Sequence, residues 1–175
     1  MSDASATRSI VQPDLAISVR SATASDASAL AALVNRAYAI EAFFVDGDRT
    51  DTSEIERMMA RGTFVVLEHA GGLGAAVYVE PGYFGMLSVL PQLQGHGLGT
   101  RLVRVAEAMC EATGCRDVNL RIINLREELG RWYRSLGYQE VGTTPYEHRP
   151  VKQACHFVEM RKTLCSAAEF APAAA

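Results

Sequence analysis

The sequence predicts one domain of the α/β (α+β) class, with a mixed, mostly antiparallel central sheet of about six or seven strands flanked by about four helices. Three observations predict it. Residues 63–89 read as three consecutive strand-period segments broken only by short turns, which makes a meander. A proline- and glycine-rich stretch then opens into one amphipathic helix followed by another strand, so the two strands that this helix joins run parallel. The chain has 175 residues, 49% hydrophobic and 21% charged, enough for a single core, and its folded span carries no internal repeat or low-complexity linker.

Each element follows from its own residues. Residues 1–14 are small and polar and residues 166–175 are alanine-rich around Pro172, so both are expected to be disordered tails outside a domain spanning 15–165. Ile17, Ser18, Val19 and Arg20 alternate as a first strand. Thr23 with Asp26 gives a capping-box-like start to a helix whose stripe is Leu30, Leu33, Val34 and Ala37. A second helix begins near residues 51–53, carries Ile55, Met58 and Met59, and stops at Gly62. The meander comprises residues 64–68, 75–79 and 83–89, with turns at Gly71-Gly72 and Pro81-Gly82. A third helix over residues 100–113 has Leu102, Val105, Ala106, Met109 and Cys110 on one side and Gly114 as its stop. After a strand at 118–122, Asn124 with Glu127 is expected to cap a last helix striped by Leu125, Leu129, Trp132 and Leu136 and closed by Gly137. Residues 138–143 and 156–164 supply two more strands.

Charge narrows the function classes. With a net charge of -3 and a pI near 5.8, no global positive field attracts nucleic acid or an anionic membrane, and neither is expected as a partner. Any phosphate must be held locally, by amides and a few side chains such as Arg101 and Arg104, which suit a solvated helix face equally well. Cys110, Cys115, Cys155 and Cys165 form no C-x-x-C pair and no zinc-type pattern. Residues 1–9 lack the apolar core of a signal peptide, and no apolar run reaches membrane-spanning length. The expectation is a cytoplasmic protein with reduced, buried thiols and no metal.

The most informative stretch is residues 87–100, in which an apolar run stops at Pro91 and opens into Gly95, Gly97 and Gly99 before a helix. Glycines can adopt positive φ and let a ligand touch the backbone, while the unpaired N–H groups of a helix start face an anion. A Walker loop would need Gly-Lys followed by Ser or Thr, which the chain lacks. The dinucleotide fingerprint begins at Gly95 and Gly97 but meets Thr100 at its last glycine position. The spacing that does fit is Q-x-x-G-x-G, read as Gln94, Gly97 and Gly99, after Leu87-Ser88-Val89-Leu90-Pro91. Downstream, Tyr133-Arg134-Ser135-Leu136-Gly137-Tyr138 reads Y-x-x-L-G-Y.

These two motifs resemble the GNAT superfamily of N-acetyltransferases. The resemblance implies a GNAT-like domain whose sheet splays at the site for coenzyme A. It implies acetyl-CoA, or another acyl-CoA, as co-substrate, with its pyrophosphate on Gln94, Gly95, His96, Gly97, Leu98, Gly99 and Thr100 and its pantetheine arm beside the backbone of Leu87, Ser88 and Val89. His96 occupies a spacer position, where a solvated side chain is the simpler reading. Many members place an asparagine seven positions before the signature tyrosine, and this chain has Arg126 there. That departure suggests that Arg126 reaches either the CoA arm or a carboxylate on the acceptor.

Tyr133 is the candidate general acid, because a phenol with a pKa near 10 suits a thiolate leaving group; its rival role is aromatic packing beside Trp132. The general base stays open among Glu41, Asp46, Glu68, Glu80, Glu147, His148 and water, with residues 38–49 and 146–149 expected to overhang the acceptor side. The reading is an enzyme that moves an acyl group to a primary amine by direct attack in a ternary complex. The amine belongs to a small molecule or to a protein or peptide, and a homodimer is left open. The alternative is a non-catalytic CoA-sensing or scaffolding module on the same fold.

Overall fold

The computed structural model describes residues 17–164. The two expected tails, the outer limits of the 15–165 domain and Cys165 lie outside the described residues. Seven strands form one mixed sheet in the order β1-β2-β3-β4-β5-β7-β6. The strands are β1 (Ile17–Ser21), β2 (Thr63–His69), β3 (Gly72–Glu80), β4 (Tyr83–Val89), β5 (Asp117–Ile123), β6 (Gln139–Pro145) and β7 (His156–Thr163). The helices are α1 (Ala27–Tyr38), α2 (Thr52–Met59), α3 (Leu98–Ala112) and α4 (Glu127–Ser135). Every pairing is antiparallel except β4 with β5.

The central strands are buried on both faces because each face carries a helical layer. Along β2, Phe64 and Val66 face α1 and α2, where Leu30, Val34, Ile55 and Tyr78 complete one cluster. Val65 and Leu67 point the other way, into a cluster that α3 fills with Leu102, Val103 and Ala106 and α4 with Tyr133. Leu102 is fully buried there. Leu102→Ala should therefore destabilise the protein by about 2–5 kcal/mol, read as a lower denaturant midpoint at unchanged slope.

Two local expectations need correction. Asn124 does not cap α4: its carboxamide oxygen accepts from the His156 backbone N–H at 2.9 Å, stitching the end of β5 to β7. The helix starts later, at Glu127, with Arg126 in the N-cap position. The inward face of α4 is also rotated from the expected stripe. Gly130 and Tyr133 are its buried residues, while Leu129, Trp132 and Leu136 pack partly buried around them. Toward the N-terminus, a 3-10 turn at Ala24–Asp26 precedes α1, and the Asp26 carboxylate ties that turn to β1 by accepting from Thr23 N–H and from both terminal nitrogens of Arg20.

What positions the site is the failure of β4 and β5 to stay together. They pair at one point, Tyr83 opposite Asn119. The Asn119 amide and side chain both donate to Gly82 O, at 2.9 and 3.0 Å. Beyond that clamp β4 bulges against β3, its register shifting between the Ala76–Ser88 and Tyr78–Gly85 pairs, and Met86 takes a positive φ of 50°. A bulge adds a residue and bends the strand, so β4 turns away from β5 and leaves a wedge open toward Val89.

Candidate active site

The wedge opens into a cleft of about 1280 Å³ that reaches both faces of the sheet. At its mouth, Pro91–Leu93 forms a 3-10 turn that ends β4. Gly95 and Gly97 follow with φ of 79° and 76°, and a Cβ at either would meet nothing within 4 Å. These glycines serve backbone conformation, and the space before them is open. Gly97 is the N-cap of α3, and the first intrahelical bond runs from Arg101 N–H to Gly97 O. The N–H groups of Leu98, Gly99 and Thr100 therefore precede the helix ladder and stand free for an anion. Leu98 anchors this turn in the core at 5% exposure. Gln94 braces it by donating to Val89 O at 3.2 Å. Arg101, Arg104 and His96 are exposed; the His96 Nδ1 lies 3.0 Å from Gln94 O, and the ring is not part of the cleft wall.

Along the wedge, Leu90 N–H donates to Gly74 O in β3. Strand alternation then turns the Ser88 N–H toward β3 as well, and turns the Leu87 and Val89 N–H groups into the gap. Ser88 is 1% exposed and its hydroxyl donates to Met86 O. Leu87 and Val89 line the cleft and Ser88 does not, so period-two geometry separates it from its neighbours.

Tyr133 forms part of the opposite wall. Its ring packs 4.6 Å from Trp132, 5.6 Å from Tyr138 and 6.2 Å from Phe84, centroid to centroid. The two sequence readings of this residue coexist, because it is a core aromatic that also borders the cleft. Burial, reinforced by the Tyr38 and Tyr83 phenols, pushes its pKa well above the ordinary value near 10 expected from sequence. The phenol is thus held in its protonated form.

The two segments expected to overhang an acceptor meet each other at one end of the cleft. A 3-10 turn, Ala39–Phe43, and the chain after it meet the β6–β7 connection through a Val45–Val151 bridge and through Lys152, whose N–H and Nζ donate to Phe44 O and Ala42 O. Beneath, Phe44 packs edge to face on Tyr146, whose ring lies tilted against Phe157. Within this roof Glu41 is 9% exposed. Its carboxylate lies 3.5 Å from Arg126, and burial raises its pKa against the opposing pull of Arg49 and Arg126. Arg126, N-cap of α4, bridges Glu41 and Glu128. The two carboxylates hold its guanidinium at the cleft wall.

The other candidate bases separate cleanly. Glu80 and His148 line the cleft. Glu68 is taken by Arg20 and Ser18 on the β1–β2 edge, Asp46 pairs with Lys152, and Glu147 lies exposed outside the cleft wall. Sequence reading missed Tyr38, Tyr83 and Arg49. Tyr83 folds back over Gly85, its hydroxyl 2.7 Å from where a Cβ would sit there, and a glycine two positions after a tyrosine is too common a pattern to signal that. The Arg49 guanidinium lies 5.5 Å from the Tyr38 ring centroid. Cys110 is buried and Cys115 and Cys155 are partly so, all three free.

Residues 60–140 match the model of the acetyltransferase (GNAT) domain. No curated protein matches the chain in sequence. Among solved structures, a protein from Salmonella typhimurium bound to its cofactor acetyl-CoA is 20% identical, with 91% of this chain and 99% of that one covered and a TM-score of 0.68. The ribosomal-protein-S18-alanine N-acetyltransferase of Escherichia coli is 17% identical over 89% of this chain and 98% of its own, at a TM-score of 0.69. The ribosomal-protein-alanine N-acetyltransferase of Brucella melitensis is 18% identical over 83% and 99%, at 0.69. At these identities the likenesses establish the fold, a splayed mixed sheet between helical layers. The acetyltransferase (GNAT) domain model matches the centre of the chain, and the fold around that stretch is the one these solved structures share.

Proposed function

We propose that the protein is an acyl-CoA-dependent N-acyltransferase that moves an acyl group, acetyl in the first instance, to a primary amine by direct attack in a ternary complex. The observation that carries this reading is one continuous cleft. A glycine-turned helix start, two strand amides and a buried phenol border it in sequence, and a buried carboxylate faces them from the acceptor side. The residues fit coenzyme A: the open space before Gly95 and Gly97 admits a diphosphate to the free amides of Leu98, Gly99 and Thr100. When bound, CoA supplies an acyl thioester.

In this reading the inward N–H groups of Leu87 and Val89 hold the pantetheine arm and polarise the thioester carbonyl. Glu41 accepts a proton from the incoming amine, the C–N bond forms as the C–S bond breaks, and Tyr133 gives its proton to the leaving sulfur. An acceptor that arrives as an ammonium releases one further proton to solvent. Arg126 acts on Glu41 and positions it, which departs from a direct contact to the CoA arm. A cytoplasmic location belongs to the same proposal, since acyl-CoA is available there.

Titration calorimetry with acetyl-CoA and free-thiol release across a mixed amine panel test the reading. Heat together with amine-dependent release is expected. Absence of heat at millimolar ligand would refute it, and heat without release on any amine would favour the sensing module. Glu41 also sets a pH signature. A base with a raised pKa loses activity as pH falls through that raised value, so the acid limb of kcat/KM should lie above the ordinary carboxylate range. Glu41→Gln should remove that limb, and an unchanged profile in this variant would exclude Glu41 as the base.

A further inference from the structure

The charge of the cleft wall is opposite to that of the whole chain. The cleft wall holds Arg49, Arg57, Arg61, Arg121 and Arg126 against Glu41, Glu54 and Glu80, although the chain carries a net charge of -3. Most of these ions are spoken for: Arg126 by Glu41 and Glu128, Arg61 by Glu80, Arg121 by Glu159. Arg49 differs. It is only partly exposed and has no carboxylate within ion-pair distance among the described residues.

Arg49 is nevertheless held in place. Asn35 on α1 donates to Thr50 O and accepts from Thr50 N–H, both at 3.0 Å, and Thr50 is 2% exposed. That two-way clamp fixes the backbone next to Arg49, while the guanidinium lies against the Tyr38 ring. A stacked, backbone-fixed guanidinium offers a planar fork of donors that matches a carboxylate, at little further cost in ordering. It borders the main cleft and also a smaller cavity of about 220 Å³ that Tyr38 and Glu41 share. Glu41 lines both cavities with Arg49 and lies within reach of its charge, with Arg126 3.5 Å from its carboxylate.

From this arrangement we infer that the acceptor is a small amino carboxylate, its carboxylate taken by Arg49 and its amine delivered to Glu41. The inference rests on the acyl-transfer reading and narrows its acceptor. The product is the N-acyl amino acid: the thioester C–S bond breaks, the amide C–N bond forms, and CoA leaves as the thiol. A peptide N-terminus has its amine but no carboxylate at that separation, and is a poorer fit.

The test is thiol release from acetyl-CoA with matched acceptors: free amino acids, their amides, the corresponding decarboxylated amines, and peptides beginning with the same residues. The best free acid should exceed its amide and its peptide in kcat/KM by at least about 30-fold, a ratio equivalent to one charge-assisted contact. Arg49→Ala, and Arg49→Lys as the variant that keeps the charge but loses the fork, should collapse the acid-to-amide ratio toward one, mainly through KM. Amides, amines or peptides used as well as free acids would overturn the inference and leave the acyl-transfer reading standing. An unchanged ratio in both Arg49 variants, each folded by circular dichroism, would overturn it too. Release with none of the acceptors would overturn both.

Discussion

Tyr133→Phe is expected to lower kcat by about 10- to 1000-fold while acetyl-CoA affinity is largely kept. The phenylalanine ring preserves the packing on Trp132, Tyr138 and Phe84, so the variant removes a proton and little else. The expected split, kcat lowered with the CoA dissociation constant near the wild-type value, identifies an interaction used in the transition state alone. The raised pKa of this phenol keeps it protonated, and moves it above the thiol value that an ordinary phenol matches, so the rate loss tests whether it still donates. A phenol that never ionises near neutrality cannot serve as a base, and its useful act is to donate as negative charge grows on sulfur. Wild-type turnover in the folded variant would leave Tyr133 with its packing role only.

Gly97→Val should weaken acetyl-CoA binding by at least about 100-fold, the equivalent of losing one or two charge-assisted amide contacts. A Cβ at this position has empty space around it, so the effect is conformational and not a clash. With φ at 76°, a β-branched residue is driven out of the left-handed region, at roughly 1–2 kcal/mol. The N-cap relaxes and the amides of Leu98, Gly99 and Thr100 lose their common direction. Because the loop is at the surface and Leu98 remains buried, the melting temperature should move much less than the affinity. Gly97→Ala should fall between the two proteins. A valine variant that binds CoA as the natural protein does would show that the turn is only a connection between β4 and α3.

The glycine turn and the tyrosine signature are the parts of the site that can be read in order along the chain. Both are short-range features: a helix start needs its cap and its free amides within a few residues. The meander was equally legible, because period two in β2, β3 and β4 comes from neighbours on one strand. Even so, local pattern misplaced the start of α4. Asn124 has the chemistry of an N-cap, but the His156 backbone lies beside it and takes the carboxamide. Ser88 shows the same limit at smaller scale, since a bulge and a partner strand decide which amides of β4 face the wedge.

The sequence by itself determined the class of sheet, the glycine turn before α3 and the tyrosine signature of α4, each of which is written within one element and its caps. Only the tertiary structure decided that the wedge opens after a single β4–β5 bridge, that Glu41 is buried against Arg126 across 85 residues of chain, and that Arg49 borders the cleft with no carboxylate partner among the described residues. Burial and long-range charge pairing depend on which segments meet, and the Val45–Val151 contact that roofs the acceptor side joins positions that share no local pattern.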